Sequence, residues 1–168
     1  MQYSGRDFDT TLVEGNKTED AIKNIFISHG YEVIDRANDL EFQKKDIDFQ
    51  VYSNVTQSYR SYEVKSDNRM AETGNLAIEV SMLRNSGLKK GWLFYCEADY
   101  LVYCDAVNHI AYFIDWARLK EGMSDPKYDF RWPIRQFKNT IDNCIGTVRL
   151  VKLEDLIKHG YIVWSSSY

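Results

Sequence analysis

Long apolar runs are absent from this sequence, and proline is scarce. No stretch is long and apolar enough to span a lipid bilayer, so we expect no association with a membrane. The first residues, Met-Gln-Tyr-Ser-Gly-Arg-Asp, lack the basic and apolar regions of a secretory signal peptide. Proline occurs only twice, at Pro126 and Pro133.

Cysteine and histidine are also few, and their spacing excludes several classes of site. Cys96, Cys104 and Cys144 are an odd number without a Cys-x-x-Cys spacing, which is typical of a reduced compartment, so we expect a cytoplasmic protein. With three scattered histidines they form no zinc signature and no nucleophilic triad. The glycine-rich loop that binds nucleotide phosphates is missing as well.

The remaining composition is that of a folded domain. A chain of 168 residues can bury a sizeable core, so we expect one domain over residues 1–168. A hydrophobic content of 44% excludes a disordered chain. The net charge of −4 mildly disfavours a nucleic-acid partner, but the distribution of charge matters more than the sum. Basic residues cluster at Lys44–Lys45, Lys65–Arg69, Arg84–Lys90 and Arg131–Lys138.

Apolar periodicity and turn residues predict alternating helices and strands. A helix over residues 17–29 has Asn16 as its predicted N-cap and Glu19 three residues on, as in a capping box. Asp46–Tyr52 and Tyr59–Lys65 are predicted to be strands joined by a polar turn. The apolar residues of Leu76–Arg84 fit both the helical and the strand periodicity, and we predict a helix. The other predicted elements are strands over 31–34, 91–96, 147–151 and 161–164, a hairpin over 100–104 and 110–114, helices over 115–121 and 153–159, and an irregular segment over 124–143.

The clearest functional signal lies on the two strands that follow Lys45. Side chains alternate along a strand, so Glu63 and Lys65 share a face while Val64 points into the core, and Asp46 and Asp48 share a face of their own strand. If the strands pair as a hairpin, Asp48, Glu63 and Lys65 meet at one edge of the sheet. Two carboxylates beside an ammonium group suit a cation with oxygen ligands and a neighbour that handles protons.

The sequence resembles the PD-(D/E)xK nuclease superfamily. The motif of that family is a Glu on a helix, then an Asp, a gap of about one hairpin, and a Glu-x-Lys. Here these positions are Asp48, Glu63, Lys65 and Glu19, and the similarity is greatest to Holliday junction resolvase-like and phage-type nucleases. The resemblance covers about residues 15–105. The family's proline before the aspartate is missing, and Asp46-Ile47-Asp48 stands where Pro-x-Asp often does, so Asp46 is the alternative to Asp48.

The resemblance implies an α/β fold of the restriction endonuclease-like type, a mixed β-sheet flanked by helices in the core order helix, three strands, helix, strand. It implies Mg²⁺ or Mn²⁺ held by Asp48, Glu63, the backbone carbonyl of Val64 and Glu19. Lys65 would orient or deprotonate the attacking water and stabilise the charge that develops at phosphorus. The products would carry 5′-phosphate and 3′-hydroxyl ends.

Several further residues are candidates for substrate contact. Glu79 follows a Thr-Gly-Asn turn and is a second-rank site candidate beside Asp46. The segment Arg131–Lys138 interleaves basic and aromatic residues, which suits phosphate contacts and base stacking, although a surface loop with one anchored Trp has the same composition. The nucleic-acid-binding candidates are Lys44, Lys45, Arg69, Thr73, Asn75, Arg131 and Arg135.

The function expected from this resemblance is metal-dependent endonuclease cleavage of DNA in the cytoplasm of a bacterium or of a phage's bacterial host. Branched or junction DNA would favour a homodimer, because two symmetric strands must be cut. Two alternatives remain open at this point. One is a catalytically inactive module of the same fold that binds DNA or supports an assembly, and the other is a nuclease directed at RNA.

Overall fold

The computed structural model describes residues 8–124, 132–139 and 144–168. Its helices are α1 (Phe8–Ser28), α2 (Leu40–Gln43), α3 (Met70–Thr73), α4 (Trp116–Ser124) and α5 (Leu153–Lys158), with a 3₁₀ turn at Trp92–Phe94. Its strands are β1 (Glu32–Asp35), β2 (Phe49–Ser53), β3 (Ser58–Asp67), β4 (Asn75–Arg84), β5 (Gly87–Lys90), β6 (Tyr100–Asp105), β7 (Ile110–Asp115), β8 (Ile134–Asn139), β9 (Cys144–Lys152) and β10 (Ile162–Ser167).

A six-stranded mixed sheet forms the centre of the fold, in the order β1-β2-β3-β6-β7-β10. Strands β3 and β6 run parallel, and every other neighbouring pair in this sheet is antiparallel. Helix α1 covers one face, where Ile22 and Phe26 pack with Phe49, Tyr62 and Phe113. The predicted fold class, a mixed sheet flanked by helices, is therefore confirmed.

The opposite face of the central sheet is covered by a second, four-stranded antiparallel sheet in the order β5-β4-β9-β8. Leu76 and Ile78 of β4 share a buried core with Leu101 of β6 and with Trp116 at the start of α4. The central sheet is therefore apolar on both faces, and side chains that alternate along β3 enter two different cores.

The predicted helix over Leu76–Arg84 is wrong, because this stretch is strand β4. It pairs with β9 from Asn75 opposite Lys152 to Leu83 opposite Ile145. The buried residues Leu76 and Ile78 alternate with more exposed neighbours, as in a strand with one covered face. Periodicity within the stretch was compatible with both structures, and the partner strand, about 70 residues further along the chain, decided between them.

Two other predicted elements also differ from the structure. Residues 91–96 were predicted to be a buried strand, but they contain the 3₁₀ turn, whose Trp92 packs on Trp116 with ring centroids 5.2 Å apart. The segment 124–143 was predicted to be irregular, but its residues Ile134–Asn139 form strand β8 against β9. Residues 125–131 and 140–143 lie outside the described part of the chain.

Helix α1 begins at Phe8 rather than near residue 17, so Asn16 is not its N-cap and Glu19 lies in the middle of the helix. The remaining predicted elements are confirmed within a few residues: β1, β3, the β6–β7 hairpin, α4, β9, α5 and β10. All three cysteines are buried as free thiols. Of the helices in the described residues, none combines the length and apolar character needed to cross a bilayer.

Candidate active site

Glu63 and Lys65, two residues apart on strand β3, lie on the same side of the central sheet. Val64, between them, packs on the opposite side, against the core beneath α1. Glu63 lies deep in the fold, with only 2% of its surface exposed. The Lys65 ammonium reaches back along the strand and donates a hydrogen bond to Glu63 Oε1. The alternation expected from the sequence is therefore present, and it places a carboxylate and an ammonium group in direct contact.

Asp48 joins this pair through the β2–β3 ladder. Its backbone N–H donates to the carbonyl of Tyr62 at 2.9 Å, which extends the antiparallel pairing one residue beyond β2. Its carboxylate Oδ2 accepts a hydrogen bond of 2.7 Å from the backbone N–H of Val64. Asp48 thus has a fixed position beside Glu63, one strand away.

Asp46 reaches the cluster by a different route from the one expected. The prediction that Asp46 and Asp48 share a strand face is wrong, because β2 begins at Phe49 and Asp46 has the positive φ of 52°. The buried Ile47 anchors the turn that follows α2, and its N–H donates to the carbonyl of Phe42. Asp46 Oδ2 then lies 3.2 Å from Lys65 Nζ. Both aspartates that compete in the sequence motif are consequently at the site.

Burial and like charges control the ionisation of this cluster. The pKa of Glu63 is raised to about 9, mainly by burial; the charge of Lys65 opposes this rise, and the charges of Asp48 and Asp46 contribute to it. Burial also raises the pKa of Asp48, although the hydrogen bond from Val64 opposes this. Burial by itself would lower the pKa of Lys65, but the charges of Glu63, Asp46 and Asp48 outweigh it and raise that pKa. Lys65 is therefore a cation at neutral pH.

Two carboxylate oxygens in the cluster are buried without a hydrogen-bond donor. They are Asp46 Oδ2, which faces Lys65 outside hydrogen-bonding geometry, and Glu63 Oε2. Buried carboxylate oxygens normally have a donor or a cation as partner. Within the described residues, no group of three or more Asp, Glu, His or Cys side chains is arranged so that it could hold a metal ion. The Lys65 ammonium contacts both Glu63 and Asp46, and so occupies the position between them.

Glu19 and Glu79 approach the cluster from other elements. Glu19, in α1, accepts a hydrogen bond of 3.0 Å from Lys23, and burial together with the charge of Asp48 raises its pKa. Glu79, in β4, has its pKa raised by burial, with Lys65 acting in the opposite direction. Both glutamates are therefore within electrostatic range of the cluster, and neither is in hydrogen-bond contact with it in the described structure.

The predicted nucleic-acid contacts are spread over several surfaces. Lys44 and Lys45 are exposed just before Asp46, and they pair with Glu41 at 3.2 Å and Glu97 at 3.0 Å. The connection from β3 to β4 carries three candidates: Thr73 Oγ1 donates to the carbonyl of Arg69, and Asn75 donates to Thr73.

Arg135 is exposed on β8 and lies in one cross-strand row with Glu79, two strands away. At the usual strand spacing this separation is roughly 10 Å. Arg131 lies outside the described residues.

Two aromatic residues at the site carried no signal in the sequence. Trp92 lies below the Lys65 ammonium, which is 5.4 Å from its ring centroid. Tyr95 is 43% exposed, and burial followed by the charge of Asp46 raises its pKa. Both belong to the stretch predicted to be a buried strand, where they appeared to be core residues. Trp92 is buried beneath the site, whereas Tyr95 and Lys65, the latter with 29% side-chain exposure, are its solvent-exposed members.

The fold has a counterpart among solved structures. The bacterial homing endonuclease I-Ssp6803I superimposes with a TM-score of 0.50 over 66% of this chain and 72% of that protein, at 15% sequence identity. This likeness shows that the two proteins share a nuclease-like fold. No model of a known protein family matches the sequence, and neither does any curated protein sequence.

Proposed function

We propose that this protein is an endonuclease that hydrolyses DNA phosphodiester bonds at the cluster of Asp48, Glu63 and Lys65. The observation that carries the proposal is the contact of buried Glu63 with Lys65, on the strand beside Asp48. Burying two carboxylates next to a lysine is unfavourable for stability unless each charge is compensated, so such clusters concentrate at functional sites. The fold shared with a homing endonuclease supports the same reaction class.

Within this proposal Lys65 stabilises negative charge and does not remove a proton from water. Its neighbours raise its pKa, so the group carries a full positive charge near neutral pH and has no free lone pair. A fixed ammonium group near the reacting phosphate stabilises the charge that develops on the phosphoryl oxygens. This role differs from the general-base role that the motif also allows.

A divalent cation fits the donor set of the site. The buried carboxylate oxygens of Asp46 and Glu63 are hard ligands of the kind that Mg²⁺ and Mn²⁺ prefer. Asp48 and Glu63 would hold the ion, with the carbonyl of Val64, Asp46 and Glu19 as further candidates. Lys65 would have to withdraw from Glu63 to leave room. Such an ion supplies Lewis-acid activation of the phosphate and of a water molecule.

The same proposal extends to the motif and to the substrate. Asp48, Glu63 and Lys65 are the counterparts of the PD-(D/E)xK residues, and the products then carry 5′-phosphate and 3′-hydroxyl ends. A four-way junction as substrate would require a homodimer, since two strands related by symmetry must be cut.

The experiment that tests this function is a cleavage assay with supercoiled plasmid, a four-way junction and structured RNA side by side, with Mg²⁺, Mn²⁺ or EDTA. We expect DNA cleavage that needs the metal ion and falls at least about 100-fold in Asp48→Asn and Lys65→Ala. The control is Glu41→Gln, a side chain that is 77% exposed on the nearby α2 and that should cut at the wild-type rate.

Undiminished cleavage by Lys65→Ala would contradict the proposed site, and no cleavage of any substrate by the wild type would favour a non-catalytic module. Cleavage of RNA alone would mean that the substrate is RNA and not DNA. A second readout is independent of turnover: calorimetric titration of Mn²⁺ should detect binding to the wild type and to Glu41→Gln, and much weaker binding to Asp48→Asn.

A further inference from the structure

The hairpin formed by β4 and β5 stands apart from the body of the fold. Every residue from Leu83 to Lys90 is exposed. Arg84 pairs with Gly87, so the two residues Asn85 and Ser86 connect the strands, and Gly87 directly after them has a positive φ of 110°, which glycine adopts without strain. A hairpin with so short a turn has few conformations, and it therefore presents a stiff two-stranded ribbon to solvent.

The exposed ribbon carries positive charge and no acidic residue. Arg84, Lys89 and Lys90 lie within eight residues that contain neither Asp nor Glu. Among the described residues, none of the three forms an ion pair, and the contact described for Lys90 is the ring of Phe94, 5.8 Å away. Lys89 and Lys90 are thus available to an anion from outside the protein, whereas the charge of Arg84 also acts on Glu79.

The register distributes these side chains over both faces of the ribbon. Lys90 lies opposite Ser81 and on the face of Leu88, which pairs with Leu83. Lys89 lies opposite Met82, on the other face, which is also the face of Arg84. A ribbon inserted into a groove between two phosphate chains would therefore offer a cation to each wall. Leu88, 71% exposed near the tip, would meet the floor of the groove.

The ribbon is connected directly to the candidate active site. Gly91 follows β5 at once, and its N–H donates to the carbonyl of Val80 at 2.8 Å. The next residue, Trp92, lies under Lys65. The Cα atoms of Lys90 and Trp92 are two residues apart, and hence at most about 7 Å apart. A duplex held by the ribbon would consequently lie beside the candidate active site.

We infer that the hairpin Leu83–Lys90 is a DNA-binding ribbon that enters the major groove of the duplex next to the bond to be cut. The inference rests on the proposed function and adds the surface that holds the substrate. The major groove of B-form DNA is about 12 Å wide and admits a two-stranded ribbon. Arg84, Lys89 and Lys90 contact phosphates, and Leu88 makes apolar contact with base edges such as the thymine methyl group.

The test compares two double variants with the same change of charge. Lys89→Glu with Lys90→Glu alters the ribbon. Lys17→Glu with Lys158→Glu alters two exposed lysines of α1 and α5 and is the matched control. Binding of each full-length protein to a fluorescent 30-base-pair duplex is measured by anisotropy in EDTA over a series of salt concentrations. Circular dichroism and melting curves establish that both double variants fold.

We expect the ribbon variant to bind at least tenfold more weakly than the control variant at 150 mM salt. The slope of log K against log salt should become shallower by about 1.8, since about 0.9 is lost per phosphate contact. Methylation of guanine N7, in the major groove, should interfere with wild-type binding. The wild type should also prefer duplex DNA to duplex RNA, whose major groove is too narrow for side chains to enter.

Equal losses of DNA affinity in the two double variants would contradict the inference that the hairpin binds DNA. Equally tight binding of duplex RNA and duplex DNA by the wild type would also contradict it. If the wild type still cuts DNA in either case, the proposed function stands and only the ribbon is wrong. If the wild type neither binds nor cuts any nucleic acid, the proposed function falls as well.

Discussion

The two sheets of this protein carry opposite charge. The strands of the four-stranded sheet hold seven basic residues and one acidic residue, whereas those of the central sheet hold two basic and six acidic residues. The basic residues of the smaller sheet are Arg84, Lys89, Lys90, Arg135, Lys138, Arg149 and Lys152. The net charge of −4 conceals this separation.

The two sheets also differ in what they do with their charges. In the central sheet Glu63 and Lys65 are held in a protected site, where a low dielectric strengthens each interaction. In the smaller sheet Lys89 and Lys90 are exposed to solvent. Under the proposed function, the central sheet carries the catalytic residues and the smaller sheet binds the DNA.

Gly91, where the chain leaves β5 and packs against the backbone of β4, should be a sensitive point of the fold. A Cβ atom on Gly91 would overlap the backbone carbonyl of Glu79 and lie 2.8 Å from the carbonyl carbon of Val80. Backbone cannot move aside as a side chain can, so we expect Gly91→Ala to destabilise the protein by about 3 kcal/mol. This corresponds to a fall of about 6–12 °C in melting temperature.

The matched control for that variant is Gly15→Ala. Gly15 lies within α1 and a Cβ there would meet nothing within 4 Å. The added methyl group should stabilise the helix by about 0.5–1 kcal/mol, since glycine is a poor helix former. Scanning calorimetry measures both variants. Similar melting temperatures for the two variants would mean that the close approach of Gly91 to the backbone of Glu79 and Val80 does not constrain the fold.

An intermediate effect is expected from Glu63→Gln, which keeps the shape of the side chain but removes its charge. The pKa of Glu63 is raised by burial from 4.5 to about 9, so the folded protein binds a proton that the unfolded chain releases. The wild type therefore loses stability as the pH rises between these values. A difference of one pKa unit between the folded and the unfolded state corresponds to about 1.4 kcal/mol of stability. The variant, which lacks this penalty, should therefore melt at least about 3 °C above the wild type at pH 8.

The difference between Glu63→Gln and the wild type should shrink as the pH is lowered towards 4.5, because the unfolded chain is then protonated as well. Melting curves in EDTA at several pH values measure it. The same substitution at the exposed Glu41 should shift the melting temperature equally at every pH. A gain from Glu63→Gln that did not vary with pH would mean that the carboxyl is not desolvated.

The smallest effect should come from Glu19→Gln. Glu19 pairs at 3.0 Å with Lys23, an ammonium group that it shares with Asp20 and Asp35, and it interacts with Asp48 through charge alone. We expect the rate of DNA cleavage to fall by about tenfold or less, against the much larger loss in Asp48→Asn. The cleavage assay compares both in saturating Mg²⁺. Equal losses would place Glu19 among the groups that hold the ion directly.

Local pattern was sufficient for the part of the site that lies on one hairpin. Residues that alternate on a strand must share a face, so the contact between Glu63 and Lys65 could be predicted from their spacing alone. The order of Asp48, the turn and Glu-x-Lys likewise predicted the β2–β3 pairing. These relations depend on short-range geometry, which the backbone determines within a few residues.

Contacts between distant segments could not be predicted in this way. The stretch 76–84 fits a helix and a strand equally well, and its strand form depends on β9 and on the face of the central sheet that it covers. Trp92 looked like a core residue of a strand, and only the packing on Trp116 turns it towards Lys65. Such choices are made by the free energy of packing rather than by local preference.

The sequence by itself determined which residues of one hairpin come together, because alternation and turn length leave a strand little freedom. Tertiary structure alone decided that Asp46, from a turn of positive φ, faces Lys65 together with Asp48. It also placed an exposed basic ribbon next to the carboxylates. Both depend on segments that are far apart in the chain, whose meeting is determined by the burial of shared apolar surface.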